Sequence, residues 1–208
     1  MTPSTLPSFV MIDDFLANPD DARAAALRLN YDPAGKAGNY PGVLSDRALP
    51  IPGLEDAASR YAGVPFEAAA GTSHGHCRLT LRGDRGVTGP HVDGCDWSGI
   101  LYLSRPEHCR GGTDFFRHKR TGLERVPGDL PRIQAAGYPD ANALIGDVIN
   151  RDTAKPGCWD KAFTAPMRYN RLILFNPWQF HDAAPPFGSG PEDGRLVLLL
   201  FLSIRQNG

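Results

Sequence analysis

The chain has 208 residues, long enough for one domain with a substantial core and short for two. Hydrophobic residues make up 41% and charged residues 22%, and the net charge of −1 offers no broad attraction to nucleic acid or anionic lipid. No apolar run approaches the roughly 18 residues of a membrane span, and the opening MTPSTLPSFVMIDDF lacks the basic segment of a secretory signal.

These features set the expectations of a cytoplasmic, monomeric or homodimeric protein with no nucleic-acid or membrane partner, and a chain this compact suits a small-molecule substrate better than a processive role. Cys77, Cys95, Cys109 and Cys158 are scattered without a CxxC pair, so neither a zinc knuckle nor a disulfide framework is suggested.

In chain order, Ser8 to Asp13 alternates enough to be a strand. Asn18 stands at an N-cap position, with Pro19 first in the helix and Asp20 and Asp21 in its first turn, which predicts a helix to about Leu29. Tyr31 to Ile51 is rich in Gly, Pro and Asn and reads as loop, and Leu54 to Tyr61 as a short helix. Strands are then expected at Cys77–Leu81, Ser98–Ser104, Gly112–Phe116, Arg171–Asn176 and Arg195–Ser203. The long stretch from Lys119 to Tyr169, helical around Pro131 to Asn150, is too long for a mere connection and suggests a lid or substrate cap. Short strands with helices mostly N-terminal predict a mainly β fold with flanking helices, a sandwich or barrel.

The stretch GPHVDGCDWSGILYLS carries the chemistry. Residues two apart on an extended segment share a face, so His91 and Asp93 can converge on one point as two ligands of a facial triad. The third ligand must come from another strand, and NPWQFHDAAPPF offers His181. The bare H-x-D signal is weak: with six histidines, about half a match is expected by chance. The order of events gives it weight. The motif is followed by a strand, a Gly-Gly strand, a long insert, another strand, a second histidine, and an arginine opening the apolar strand GRLVLLLFLS. That arginine, Arg195, has the planar fork suited to gripping a carboxylate with two parallel hydrogen bonds.

From Cys77 to Ser203 the chain resembles the 2-oxoglutarate/Fe(II)-dependent oxygenase superfamily, in its prolyl-hydroxylase-like branch. The likeness rests on HVD at His91–Asp93, ILYLS at Ile100–Ser104, GGTDFF at Gly111–Phe116, RLILF before His181, and the Gly194–Arg195 strand start. The opening IDDFLANP also resembles that of bacterial members of the branch. The resemblance implies a double-stranded β-helix (jelly-roll, cupin-like) core, iron held by His91, Asp93 and His181, and 2-oxoglutarate anchored by Arg195, with Tyr102 a second co-substrate contact. It also implies decarboxylation of 2-oxoglutarate to succinate with oxidation, usually hydroxylation, of a substrate C–H bond by O2. A tyrosine often found about ten residues before the H-x-D is Leu81 here, and Arg78 or Thr80 could take over its contact.

The expected organisation is one oxygenase domain over residues 1–208. Its flank would be 1–70, its core 72–118 and 167–205, and its insert 119–166. Trp97, Trp159 and Arg78 are substrate-pocket candidates. His74 and His76, also two apart, lack a partner pair for zinc, and His118 in RHKR reads as part of a solvated basic turn. The competing functions are a peptide or protein hydroxylase of the same mechanism, a cupin-like metalloenzyme without 2-oxoglutarate, and a non-catalytic binding module.

Overall fold

The computed structural model describes residues 8–32, 34 and 39–206. Ten strands are formed among them: β1 (Phe9–Ile12), β2 (Val43–Ala48), β3 (Phe66–Ala68), β4 (His76–Thr80), β5 (Trp97–Tyr102), β6 (Gly112–His118), β7 (Trp159–Pro166), β8 (Leu172–Phe175), β9 (His181–Ala183) and β10 (Arg195–Ile204). The larger sheet runs β1-β8-β5-β10-β4-β2, with β3 on the far end of β10, and the smaller runs β7-β6-β9. All pairings are antiparallel. The two sheets face each other as a double-stranded β-helix with helices on one side, within the mainly β class the strand pattern predicts and with the core the resemblance implies.

Why the central strands are so apolar follows from their position. On β10, Leu196, Leu198, Leu200 and Leu202 enter the cluster beneath the helices, while Val197 and Leu199 face the gap between the sheets. Both faces are covered, so the strand reads as a continuous apolar run rather than an alternation. On β8, Leu172 and Leu174 point to the helices and Ile173 and Phe175 to the gap. The helical layer is α1 (Pro19–Leu27) and α2 (Leu54–Ala62). Leu54, Ala58 and Ala62, four residues apart, form the buried stripe of α2. Arg23 of α1 is buried and donates to the carbonyl of Leu103 at 3.0 Å and to Glu192 at 3.0 Å, pinning the helix to the sheet.

Four strands, β2, β3, β7 and β9, form outside the six expected segments, and β2 and β7 fall where a loop and an insert are expected. Within the expected Tyr31–Ile51 loop, β2 pairs with β4; it is an edge strand of composition VLSDRA with a register shift between Leu44 and Ala48, so it carries little apolar alternation. The expected 119–166 insert ends in β7, which pairs with β6 throughout and belongs to the smaller sheet. Gly112 permits this close pairing: a Cβ there would lie 1.9 Å from the Ala165 carbonyl oxygen.

The rest of the insert holds α3 (Leu130–Ala135) and α4 (Ala141–Ile145), N-capped by Asp129 and Asp140, followed by one wide turn over Gly146–Asn150. Ile133, Leu144 and Val148 pack with Trp159 and Phe180 on the outer face of the smaller sheet. His118 is not part of a solvated turn. It is fully buried, bonded to Asp152 at 3.2 Å and Thr121 at 2.9 Å, and its imidazole fastens the insert to β6.

Asp13, after β1, receives Arg171 at 2.5 and 2.9 Å and Arg168 at 2.8 Å. The hydrogen bond from Arg171 holds its carboxyl below the usual range. A depressed carboxyl stabilises the fold fully above its unfolded pKa and loses that contribution as pH falls through the folded value. The difference in urea midpoint between wild type and Asp13→Asn should therefore be full at pH 6 and shrink below about pH 4. A constant difference across that range would show that the carboxylate charge contributes nothing.

Candidate metal centre

His91 lies outside the named strands but pairs with His181 as an isolated antiparallel bridge. Each residue donates its backbone N–H to the other's carbonyl, at 3.0 and 3.1 Å. Residues that exchange both bonds project their side chains to the same face. The two imidazole centroids are accordingly 4.4 Å apart. Asp93, two residues further on, shares that face and is held by its own N–H to the Pro177 carbonyl at 3.0 Å. Its carboxylate oxygens lie 3.8 Å from His91 Nε2 and 3.2 Å from His181 Nε2. One ligand atom from each residue lies within 4.8 Å of the others, and this is the one such group of three among the described residues.

The tautomers follow from hydrogen bonding. His91 Nδ1 is 2.9 Å from the Gly89 carbonyl, and His181 Nδ1 is 2.8 Å from the Gln179 carbonyl. A carbonyl only accepts, so both Nδ1 atoms carry a proton, which turns both Nε2 atoms toward the cluster. Ser98 donates to Asp93 at 2.5 Å and fixes the carboxylate. Thr153, at the end of the insert, accepts the Gly89 N–H at 2.9 Å, so the insert steadies the loop that orients His91.

Burial and the neighbouring His181 push His91 down to about 4. Burial works against ionisation of Asp93, but the charge and hydrogen bond of His181 outweigh it and bring the carboxyl to about 2. Burial likewise opposes protonation of His181, and Asp93 overcomes it, raising His181. One neutral imidazole, one imidazole that attracts a proton and one firmly ionised carboxylate is a site asking for a cation. Two imidazole nitrogens and one carboxylate form the donor set of the facial triad, so the residues fit Fe(II).

Beside the triad is a cavity of about 160 Å³, lined among others by Tyr40, Arg78, Thr80, Thr113 and Arg195. Alternation on the strands puts them there: Cys77 and Leu79 of β4 face the helices, which leaves Arg78 and Thr80 facing the cavity. Arg195 is 3% exposed. One Nη donates to the Gly112 carbonyl at 3.4 Å, and the buried Nε has no partner. Asp182 and Asp114 act on it electrostatically, yet neither makes an ion pair with it. A buried guanidinium with spare donors fits a carboxylate guest, as 2-oxoglutarate would provide.

The other sequence candidates divide. Arg78 lines the cavity. Trp97 does not: it is buried on the helix side of β5, 5.7 Å from Phe66. Ser98, its neighbour, takes the cavity face, as the inward-facing Ile100 and Tyr102 on the same strand would have indicated. Trp159 is buried between the insert and the smaller sheet, donating to the Asp152 carbonyl at 2.9 Å, and lies outside the cavity. Tyr102 is fully buried behind Arg195, its ring 6.0 Å from the guanidinium and its hydroxyl 2.8 Å from Thr113 Oγ1; it is Thr113 that reaches the cavity. His74 and His76 are satisfied separately, by Glu55 and Phe201 and by the Ser45 carbonyl.

Tyr40 was not foreseen. Its ring lies 4.6 Å from His91, and burial pushes its hydroxyl up to about 12. Leu81 packs toward the helices, so a tyrosine at that position would face away from the cavity, whereas Tyr40 enters from the segment before β2.

Among solved structures, the protein is similar to three of comparable fit. The non-haem α-ketoglutarate-dependent epimerase SnoN from nogalamycin biosynthesis is 16% identical, over 95% of this chain and 78% of that one, with a TM-score of 0.51. An oxidoreductase of the 2OG-Fe(II) oxygenase family from Burkholderia pseudomallei is 16% identical, over 94% and 84%, with a TM-score of 0.51. IDO from Bacillus thuringiensis is 10% identical, over 96% and 94%, with a TM-score of 0.51. At these identities the likeness shows a shared fold. No curated protein sequence matches. Residues 4–202 match the family described as "Family of unknown function (DUF6445)", and the chain belongs to that family.

Proposed function

We propose that the protein is an Fe(II)- and 2-oxoglutarate-dependent oxygenase that oxidises a C–H bond of a small metabolite or amino-acid-like substrate. The observation that carries this reading is the convergence of His91, Asp93 and His181 beside the unpaired, buried Arg195. His91, Asp93 and His181 would hold the iron on one face, and Arg195 would hold the distal carboxylate of the co-substrate. When bound, iron and 2-oxoglutarate supply the oxidising power from O2, with release of succinate and CO2.

The protein's own residues set the geometry. The carbonyls of Gly89 and Gln179 fix the two rings, and Ser98 fixes the carboxylate. Phe115 and Phe175, packed around His181, keep water from that side of the site. The cavity, about 160 Å³, lies between the two sheets, and its size favours a compact substrate over a polypeptide segment.

The test is an anaerobic titration of Fe(II) protein with 2-oxoglutarate, followed by exposure to O2. A visible metal-to-ligand charge-transfer band and then succinate are expected. If Fe(II) binds without such a band and no succinate forms, the co-substrate assignment falls and the cupin-like reading replaces it.

A further inference from the structure

The cavity holds more positive charge than the co-substrate needs. Among the described residues, the arginines that are not exposed are Arg23, Arg78, Arg105, Arg171 and Arg195. Three of these hold a carboxylate: Arg23 has Glu192 at 3.0 Å, Arg105 has Asp20 at 2.7 Å, and Arg171 has Asp13 at 2.5 Å. Arg78 and Arg195 hold none, and both line the cavity. A largely desolvated cation without a counter-charge is costly, and proteins retain one where a ligand supplies the anion.

Arg195 is assigned to the co-substrate, which leaves Arg78 over. Its position separates it from Arg195. On the paired strands Thr80 stands opposite Arg195, and Arg78 stands opposite Val197. Arg78 is thus displaced by one same-face step, roughly 6–7 Å along the strand. Its guanidinium is 5.5 Å from the centre of the Tyr40 ring, and one Nη donates to the Pro41 carbonyl at 3.2 Å. Tyr40 in turn packs on His91. Arg78 is therefore aimed by a wall that leads to the metal centre, and its guanidinium makes no other hydrogen bond among the described residues.

From this placement we infer that Arg78, backed by Tyr40, recognises a carboxylate on the molecule that is oxidised, so that the substrate is a small carboxylic acid. The inference rests on the oxygenase reading and narrows its substrate class. Arg195 and Arg78 divide the anions between them: the first takes the distal carboxylate of 2-oxoglutarate, the second the substrate's. A charge-assisted hydrogen bond is worth roughly ten- to a hundredfold in affinity, so the preference for an acid over its amide should be measurable.

The experiment uses the whole protein loaded anaerobically with Fe(II) and 2-oxoglutarate. N-acetylated amino acids and arylalkanoic acids are the probes, each paired with its primary amide. Binding is read by calorimetry and by perturbation of the charge-transfer band. In the wild type, acids that bind should exceed their amides by about tenfold or more. Arg78→Gln should bring that ratio to within about threefold, and Arg78→Lys, which keeps the charge, should restore part of it. Arg78→Gln should leave 2-oxoglutarate affinity within about threefold of wild type, in contrast to substitution of Arg195. Thermal unfolding of both Arg78 variants checks that they fold, and the lysine variant decides the matter if the glutamine one does not. If no acid binds better than its amide, or if Arg78→Gln weakens 2-oxoglutarate as much as loss of Arg195 does, the proposal is wrong. Failure of the band to form with 2-oxoglutarate would instead sink the oxygenase reading beneath it.

Discussion

Replacing Arg195 by methionine should make the ligand-free protein more stable and at the same time weaken 2-oxoglutarate binding by about 100-fold or more. The two effects have one cause. Arg195 is buried, its Nε has no partner, and its one hydrogen bond, to the Gly112 carbonyl, is long at 3.4 Å. Burial works against its charge, and Tyr102, Asp182 and Asp114 offset this only in part. Methionine is unbranched, of similar length and free of charge, so it can fill the space without the desolvation cost. A gain of about 1 kcal/mol would raise Tm by roughly 2–4 °C in a chain of this size. The loss follows because a carboxylate held by two charge-assisted bonds forfeits both. Calorimetry with 2-oxoglutarate on the Mn(II)-loaded variant, beside thermal unfolding of the ligand-free form, measures the pair. A variant that binds 2-oxoglutarate normally would remove Arg195 from the site, and an Arg195→Ala protein that still formed succinate would do the same.

Asp93→Ala should abolish the stabilisation that a divalent metal gives. Asp93 is the only anionic ligand of the three, and it stands within 3.8 Å of both imidazole Nε2 atoms. Its removal takes away the charge that makes two imidazoles a cation site, at an expected cost of about 100-fold or more in metal affinity. At a metal concentration near 100 times Kd, the wild type gains about 2.7 kcal/mol, or roughly 5–10 °C in Tm. The variant at the same Mn(II) concentration should gain almost nothing. It should also lose succinate formation. An unchanged metal-induced shift would mean that the ion binds elsewhere in the chain. Ser98, which loses its acceptor in this variant, lies close enough that Ser98→Ala should show a weaker version of the same defect, about tenfold in metal affinity.

The candidate metal set is legible in the sequence because its geometry is mostly local. His91 and Asp93 share a face by strand periodicity, and His181 follows a strand that the apolar run Leu172–Phe175 announces. Arg195 is legible because it opens the longest apolar run of the chain, Leu196 to Leu202, where a cation stands out. Trp97 and Trp159 lie outside the cavity because neither nearness in sequence to the H-x-D motif nor a place in the insert brings a side chain to the cavity face. Trp97 is four residues from Asp93 and on the wrong face of its strand. Tyr40, fifty-one residues before His91, packs against its ring.

Elements whose burial is patterned along the chain can be read from the residues alone: the two-faced apolar strands β8 and β10, the helix stripe of α2, and the candidate ligands spaced two apart. Which edges pair and what lines the cavity depend on contacts between segments far apart in the chain. β2, β7 and β9 are short or polar, and they are strands because a neighbour offers its ladder, as β4 does for β2 and β6 for the other two. Their own side chains say little, since edge strands are stabilised by backbone hydrogen bonds that any residue but proline can make. The same holds for Arg78, whose surplus charge is visible only once Arg23, Arg105 and Arg171 are seen with their carboxylates and Arg195 is seen beside it without one.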